Sequence, residues 1–272
     1  MSSEKLLFPL FAGILLMAGC TGNASRPDSG PPADVSAVEQ SMSTQTATTD
    51  VRQRAKVHAE LGLFYLKDNR ASVALEEAKI ALDADSSYAP AYNLRGLVYM
   101  ALGQNDLAES NFRQALSLAS GDPEINNDYG WFLCQTGKVK ESFAYFNLAL
   151  RNPLYQTPAK ALSNAGVCYM MNKDDLNGES YLFRSLKLDP SNLRAYYLLA
   201  DISYRAKRYD DARDWLKQMH TKIEPTAETA WLALKIDRKL GNRDGEASNT
   251  AILRRKYRDT IEYQQMLRGE FD

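Results

Sequence analysis

Catalysis needs nucleophiles, general bases or metal ligands, and this chain of 272 residues carries few: three cysteines, Cys20, Cys134 and Cys168, and two histidines, His58 and His220. None of these stands at metal-ligand spacing from another, and there is no glycine-rich phosphate loop or dinucleotide fingerprint. Asp83-Ala84-Asp85 opens like a calcium loop but lacks the later Gly and Glu, so it reads as a turn. His58 falls in an expected helix, where packing is its role, and His220 in an expected solvated turn. The basic run Arg254-Arg255-Lys256-Tyr257-Arg258 has the chemistry to touch phosphates, but charge runs usually face water, and it reads as the surface of a final helix. With 33 Lys and Arg against 34 Asp and Glu, the net charge of −1 provides no bulk positive potential for nucleic acid. Apolar residues at 44% and a mean hydropathy of −0.42 support a packed core and exclude a polytopic membrane protein. The inventory predicts a scaffold, not an enzyme, with no cofactor, metal or small-molecule substrate.

Cys20 has a different chemistry. A charged start, Met1 to Lys5, leads into an apolar run from Leu6 to Ala18 that ends in small residues. Thirteen residues is too short for a helix that spans a bilayer, which needs about 20. It reads as a secretory signal. Met17-Ala18-Gly19-Cys20 resembles a bacterial lipobox, with Met17 where Leu is usual. The resemblance implies cleavage before Cys20 and lipid attachment to it; the plainer alternative is an ordinary cleaved signal. Thr21, in place of the Asp of inner-membrane retention, implies the periplasmic face of the outer membrane. Residues 1–19 are thus expected to be signal peptide and 20–54 a flexible tether rich in Ser, Thr and Pro.

Beyond the tether the sequence repeats itself. Gly62, Gly96, Gly130, Gly166 and Ala200 follow one another at intervals of 34, 34, 36 and 34 residues. Tyr65, Tyr99, Leu133 and Tyr169 come one helical turn later. A second small column holds Ala74, Ala108, Ser142, Gly178 and Ala212, and a bulky one Phe112, Phe146, Leu182 and Leu216, with Ala78 in the first repeat. Small residues let two helices approach; the bulky ones fill the space between them. The columns resemble the tetratricopeptide repeat, a helix–turn–helix unit of about 34 residues. The fold class predicted is all-α, a right-handed superhelix of about six such repeats over 55–258, starting at Ala55, Ala89, Pro123, Ala159, Leu193 and Ala227. The sixth is degenerate, as a capping repeat should be, and 259–272 is a tail or capping helix. Two extra residues near Arg151–Pro158 form a wedge.

By the same resemblance, first helices line a concave, protein-binding face. Carried over by repeat position, this implicates Asn93, Leu97 and Met100; Asn127, Trp131 and Cys134; Ser163, Val167 and Met170; and Tyr197, Asp201 and Tyr204. Plain core packing is the alternative, above all for Trp131 and Leu97. Ala59 and Leu63 stand where a chaperone carboxylate clamp would need Lys and Asn. Cys134 and Cys168 lie on neighbouring first helices, where a disulfide and a pair of buried free thiols are both open.

Lipobox, tether and six repeats together resemble the PilF/PilW family of type IV pilus biogenesis lipoproteins, as does the segment Asn126-Asn127-Asp128-Tyr129-Gly130-Trp131-Phe132-Leu133-Cys134. That resemblance implies a pilotin: a lipid-anchored protein that binds the pilus secretin subunit and promotes its outer-membrane localisation and multimer assembly, hence pilus biogenesis and twitching motility. The competing readings are an adaptor for outer-membrane β-barrel assembly, a scaffold for peptidoglycan hydrolases and, in another class, an undetected periplasmic enzyme.

Overall fold

The structure is a computed structural model and describes residues 39–271. Cys20, the cleavage site before it and the first part of the expected tether lie outside the described residues. Within them the chain is all-α, an array of helix pairs. The pairs are α1 (Asp50–Lys67) with α2 (Ala71–Ala84), α3 (Ala89–Ala101) with α4 (Asn105–Leu118), and α5 (Pro123–Gln135) with α6 (Val139–Arg151). They continue as α7 (Pro158–Met171) with α8 (Asp175–Leu188), α9 (Leu193–Arg205) with α10 (Tyr209–His220), and α11 (Ala227–Leu240) with α12 (Arg243–Lys256). A last helix, α13 (Ile261–Arg268), packs back on α11 and α12. This is the superhelical tetratricopeptide fold expected from the columns.

Helices of 13 or 14 residues are marginal alone. Here each is started by local chemistry and held by its neighbours. Thr49, Asp122, Asn192 and Thr226 cap the N-termini of α1, α5, α9 and α11 with side-chain oxygens. Pro90, Pro123 and Pro158 occupy first turns, where no amide is needed. Every pair then turns the same way. Asn69, Gly103, Gly137, Lys173, Lys207 and Gly241 all adopt positive φ, between 57° and 85°. The amide after each one reaches back to a carbonyl five residues earlier: Arg70 to Tyr65, Gln104 to Tyr99, Lys138 to Leu133, Asp174 to Tyr169, Arg208 to Ser203 and Asn242 to Asp237. These are Schellman closures.

The small column works as expected. A Cβ on Gly96 would stand 3.0 Å from the Phe112 ring, one on Gly130 3.1 Å from Phe146, and one on Gly166 2.8 Å from Leu182. The sixth repeat keeps the pair with different chemistry: Leu234 fills the small position, and buried Asp237 accepts from Asn242 and Asn249 across the helices. Tyr155 plugs the wedge after α6, buried against Ala149 and Ala161. A disulfide joins Cys134 of α5 to Cys168 of α7.

The structure corrects four expectations. The array begins before residue 55: α1 starts at Asp50, because Thr49 caps it. The segment before it also belongs to the array. Glu39 accepts from the Gly121 amide, and the Met42 amide and Ser41 hydroxyl donate to Asp122. Met42 packs among alanines of the first two repeats and Ile125 of the third. His220 is not in a solvated turn; it ends α10, half-buried and bonded to Thr229. The basic run closes α12, exposed, with α13 still to follow. His58, in α1, pairs with Glu77 of α2 at 2.6 Å.

Candidate peptide-binding groove

Positions two, five and nine of a first helix lie on one face. In successive repeats those faces adjoin, since α1, α3, α5 and α7 pack side by side. Together they line a groove of about 660 Å³. Its apolar floor is Leu63 and Leu66 from α1, Leu97 and Met100 from α3, and Trp131 from α5. Lys67, Pro90, Glu124, Lys160 and Arg194 rim it, and Ser41 and Ser43 of the N-terminal segment close one side. Between α7 and α9 the helices approach less closely, and a second cleft of about 630 Å³ continues from the first, sharing Thr157, Lys160, Asn164 and Arg194.

Beneath the rim runs a polar ladder. Asn93 donates to one Asp128 oxygen at 2.9 Å, and Asn127 and Lys160 donate to the other, each at 2.9 Å. Asn164 donates to Asn127. Lys160 also meets Glu124, whose other oxygen accepts from Thr157. Burial disfavours the Lys160 charge, but Asp128 and Glu124 outweigh it and hold its pKa above the usual lysine range. For Asp122 burial wins instead: it raises the carboxyl above the ordinary range despite four donors, the Met42, Glu124 and Ile125 amides and the Ser41 hydroxyl. This ladder ties repeats two, three and four together.

Of the residues expected to bind a partner, Asn93, Leu97, Met100 and Trp131 line the groove. Asn127 does not: it is 0% exposed, its amide spent within the ladder. Ser163 is 5% exposed and borders only the second cleft. Val167 is half-buried and lines neither. Met170, Tyr197 and Tyr204 pack on the core around Leu182, Leu199 and Ile202. Tyr204 also lies under the C-terminal segment, its hydroxyl donating to the Phe271 carbonyl at 3.4 Å. Phe271 itself packs on Trp231 beneath Arg238. The apolar floor therefore lies on α1, α3 and α5, while on α9 Tyr197 and Tyr204 pack on the core instead.

Leu66, Asp128, Lys160 and Arg194 are not among the residues the sequence reading places in the groove, and Leu63 is placed there only as a departure from the carboxylate clamp. The signal existed: position two of successive repeats reads Pro90, Glu124, Lys160, Arg194. Among the described residues no cluster of His, Cys, Asp and Glu has the form of a metal site, and no helix is long and apolar enough to cross a membrane.

A family model described as tetratricopeptide repeat matches residues 93–156 and 178–221. The chain is 25% identical over 251 residues to the type IV pilus assembly protein PilF of Pseudomonas aeruginosa, across 92% of this chain and 94% of that one. The crystal structure of PilW, a widely conserved type IV pilus biogenesis factor, matches with a TM-score of 0.73 and 33% identity, over 79% of this chain and 99% of that one. A solved structure of Pseudomonas aeruginosa PilF matches in fold with a TM-score of 0.71 and 24% identity, over 81% and 100%.

Proposed function

The chain belongs to the PilF/PilW family of type IV pilus biogenesis factors, and from that premise we propose that it is a pilotin. In this reading it captures the pilus secretin subunit in the concave groove and promotes that subunit's outer-membrane localisation and multimer assembly. Lipid on Cys20 anchors it to the periplasmic face of the outer membrane, and twitching motility follows from assembled secretin. It binds and positions; it catalyses no reaction.

The observation that carries this reading is the groove floor. Leu63, Leu66, Leu97, Met100 and Trp131 form a continuous apolar strip along first helices of three repeats. Such a strip suits helix- or strand-like segments of a partner protein, and a large aromatic is the usual interface anchor.

The test is genetic and biochemical. Deleting the gene should abolish heat-stable secretin multimers on a blot and stop twitching, and a Trp131→Ala, Leu97→Ser variant should fail to restore either. Cys20→Ala should leave the chain folded but multimers in the wrong membrane. Normal multimers and motility in the deletion strain would reject the proposal.

A further inference from the structure

The reading of the groove as a capture surface leaves open what kind of segment it takes, and with that reading as its basis we infer that it takes an extended chain bearing acidic side chains beside apolar ones.

Charge carries the first half of this. Three carboxylates line the groove, and each is used within the chain. Asp122 is taken by Met42, Ser41 and the first turn of α5; Glu124 by Thr157 and Lys160; Asp128 by Asn93, Asn127 and Lys160. The cations Lys67 and Arg194 are not: among the described residues, neither side chain makes a hydrogen bond or an ion pair. The unspent charge of the groove is positive.

Arg194 stands at the groove with an aromatic ring beneath it and no anion beside it. It lies in the first turn of α9, at the positive end of the helix dipole, with its guanidinium 5.4 Å over the Trp131 ring. The residue is exposed to the groove, and desolvation by its neighbours, with no anion to offset it, pulls its pKa down. Lys160 occupies the matching place on α7 but has two carboxylates to answer it. A cation held over an aromatic ring at the groove, with no anion among the described residues to pair with it, marks a place whose anion arrives with the ligand.

Asn93 carries the second half. It is 7% exposed, lines the groove and donates to Asp128, while its Oδ1 accepts from nothing. A buried acceptor without a donor costs free energy that a ligand N–H recovers. An extended segment has unpaired backbone N–H groups to offer; within a helix those groups are already engaged. The order along the groove is thus a carboxylate at Arg194, apolar side chains on Trp131, Met100 and Leu97, and a backbone amide at Asn93.

The full, disulfide-bonded chain tests this with two fluorescein-labelled ten-residue peptides. Both have an interior of alternating Leu and Ser; one has Glu at each end, the other Lys. At low salt the Glu-ended peptide should bind at least tenfold more tightly by anisotropy, and Arg194→Glu should erase or reverse that order. Glu suits the first turn of a helix, so the melting temperature of this variant should hold or rise. Lys67→Glu should reduce the preference without touching α9. Equal affinities, no binding of either peptide, or a preference that survives Arg194→Glu would each overturn the inference. Secretin capture is scored separately. Capture without a peptide charge preference rejects the inference and keeps the pilotin reading; a charge preference without capture does the reverse.

Discussion

Cys134 of α5 and Cys168 of α7 are bonded across the seam between the third and fourth repeats, their Cα atoms 5.9 Å apart and the residues 34 positions apart in sequence. The bond spans the one place where the repeat period slips from 34 to 36 residues. A loop of that length restricts the unfolded chain by about 3–4 kcal/mol. Reduction, or Cys134→Ala with Cys168→Ala, should lower the urea midpoint accordingly. An identical midpoint with and without reductant would show that the bridge adds nothing.

Two lysines occupy turn positions that suit glycine. Lys173 and Lys207 both have φ of 61°, where Gly103, Gly137 and Gly241 stand in the equivalent turns. The left-handed conformation costs an L-residue with a Cβ about 1–2 kcal/mol, partly offset by the greater freedom glycine has when unfolded. Lys207→Gly should therefore stabilise the array by about 0.5–1 kcal/mol, and Gly137→Ala should destabilise it by a similar amount. Thermal melts of both variants decide the matter.

Gly166 and Leu182 pack with no room for an added methyl group. A Cβ at 166 would lie 2.8 Å from Leu182 Cγ and 3.2 Å from the Gly178 carbonyl. Gly166→Ala should cost about 1–3 kcal/mol by overpacking, despite the better helix propensity of alanine. In a double-mutant cycle with Leu182→Ala the two losses should fall short of additivity by at least about 0.5 kcal/mol. Strict additivity would mean that backbone adjustment, not Leu182, absorbs the added methyl.

His220 makes stability depend on pH. Its half-buried ring, bonded to Thr229 Oγ1 at 3.0 Å, has its pKa lowered by burial. The unfolded chain therefore takes up a proton more readily than the folded one, and stability falls as pH drops below the ordinary histidine value of about 6.5. His220→Gln should remove part of the loss between pH 7.5 and 5.5 in melting temperature. An equal loss in both proteins would place the pH dependence elsewhere.

How much of the site is visible in sequence differs from residue to residue. Asn93 and Asn127 hold the same repeat position and look alike in sequence, yet one reaches the groove and the other is closed off, because Asn164 and Asp128 lie over the second. Met170 and Tyr204 sit in groove columns but turn inward to fill the Leu182 and Leu199 core. Side-chain direction within a half-buried column depends on what the adjoining repeat leaves open, and no column in one sequence records that. The N-terminal segment was misread for a related reason. Ser, Thr and Gln around Met42 have the composition of a tether, but a single buried carboxylate, Asp122, some eighty residues away, accepts from the Ser41 hydroxyl and the Met42 amide and holds them.

By itself the sequence determined the repeat, its period, the helix pairs and the small residues that let them meet, since each of these depends on contacts within about forty residues. It also determined that the cysteines on α5 and α7 come from neighbouring helices. Only the tertiary structure decided that those two are bonded, that the apolar floor of the groove is confined to the first three repeats, and that its carboxylates are spent while Lys67 and Arg194 are not. Those outcomes rest on which charges from different repeats fall within hydrogen-bonding distance. A shift of one or two ångströms changes that distance without changing a single residue.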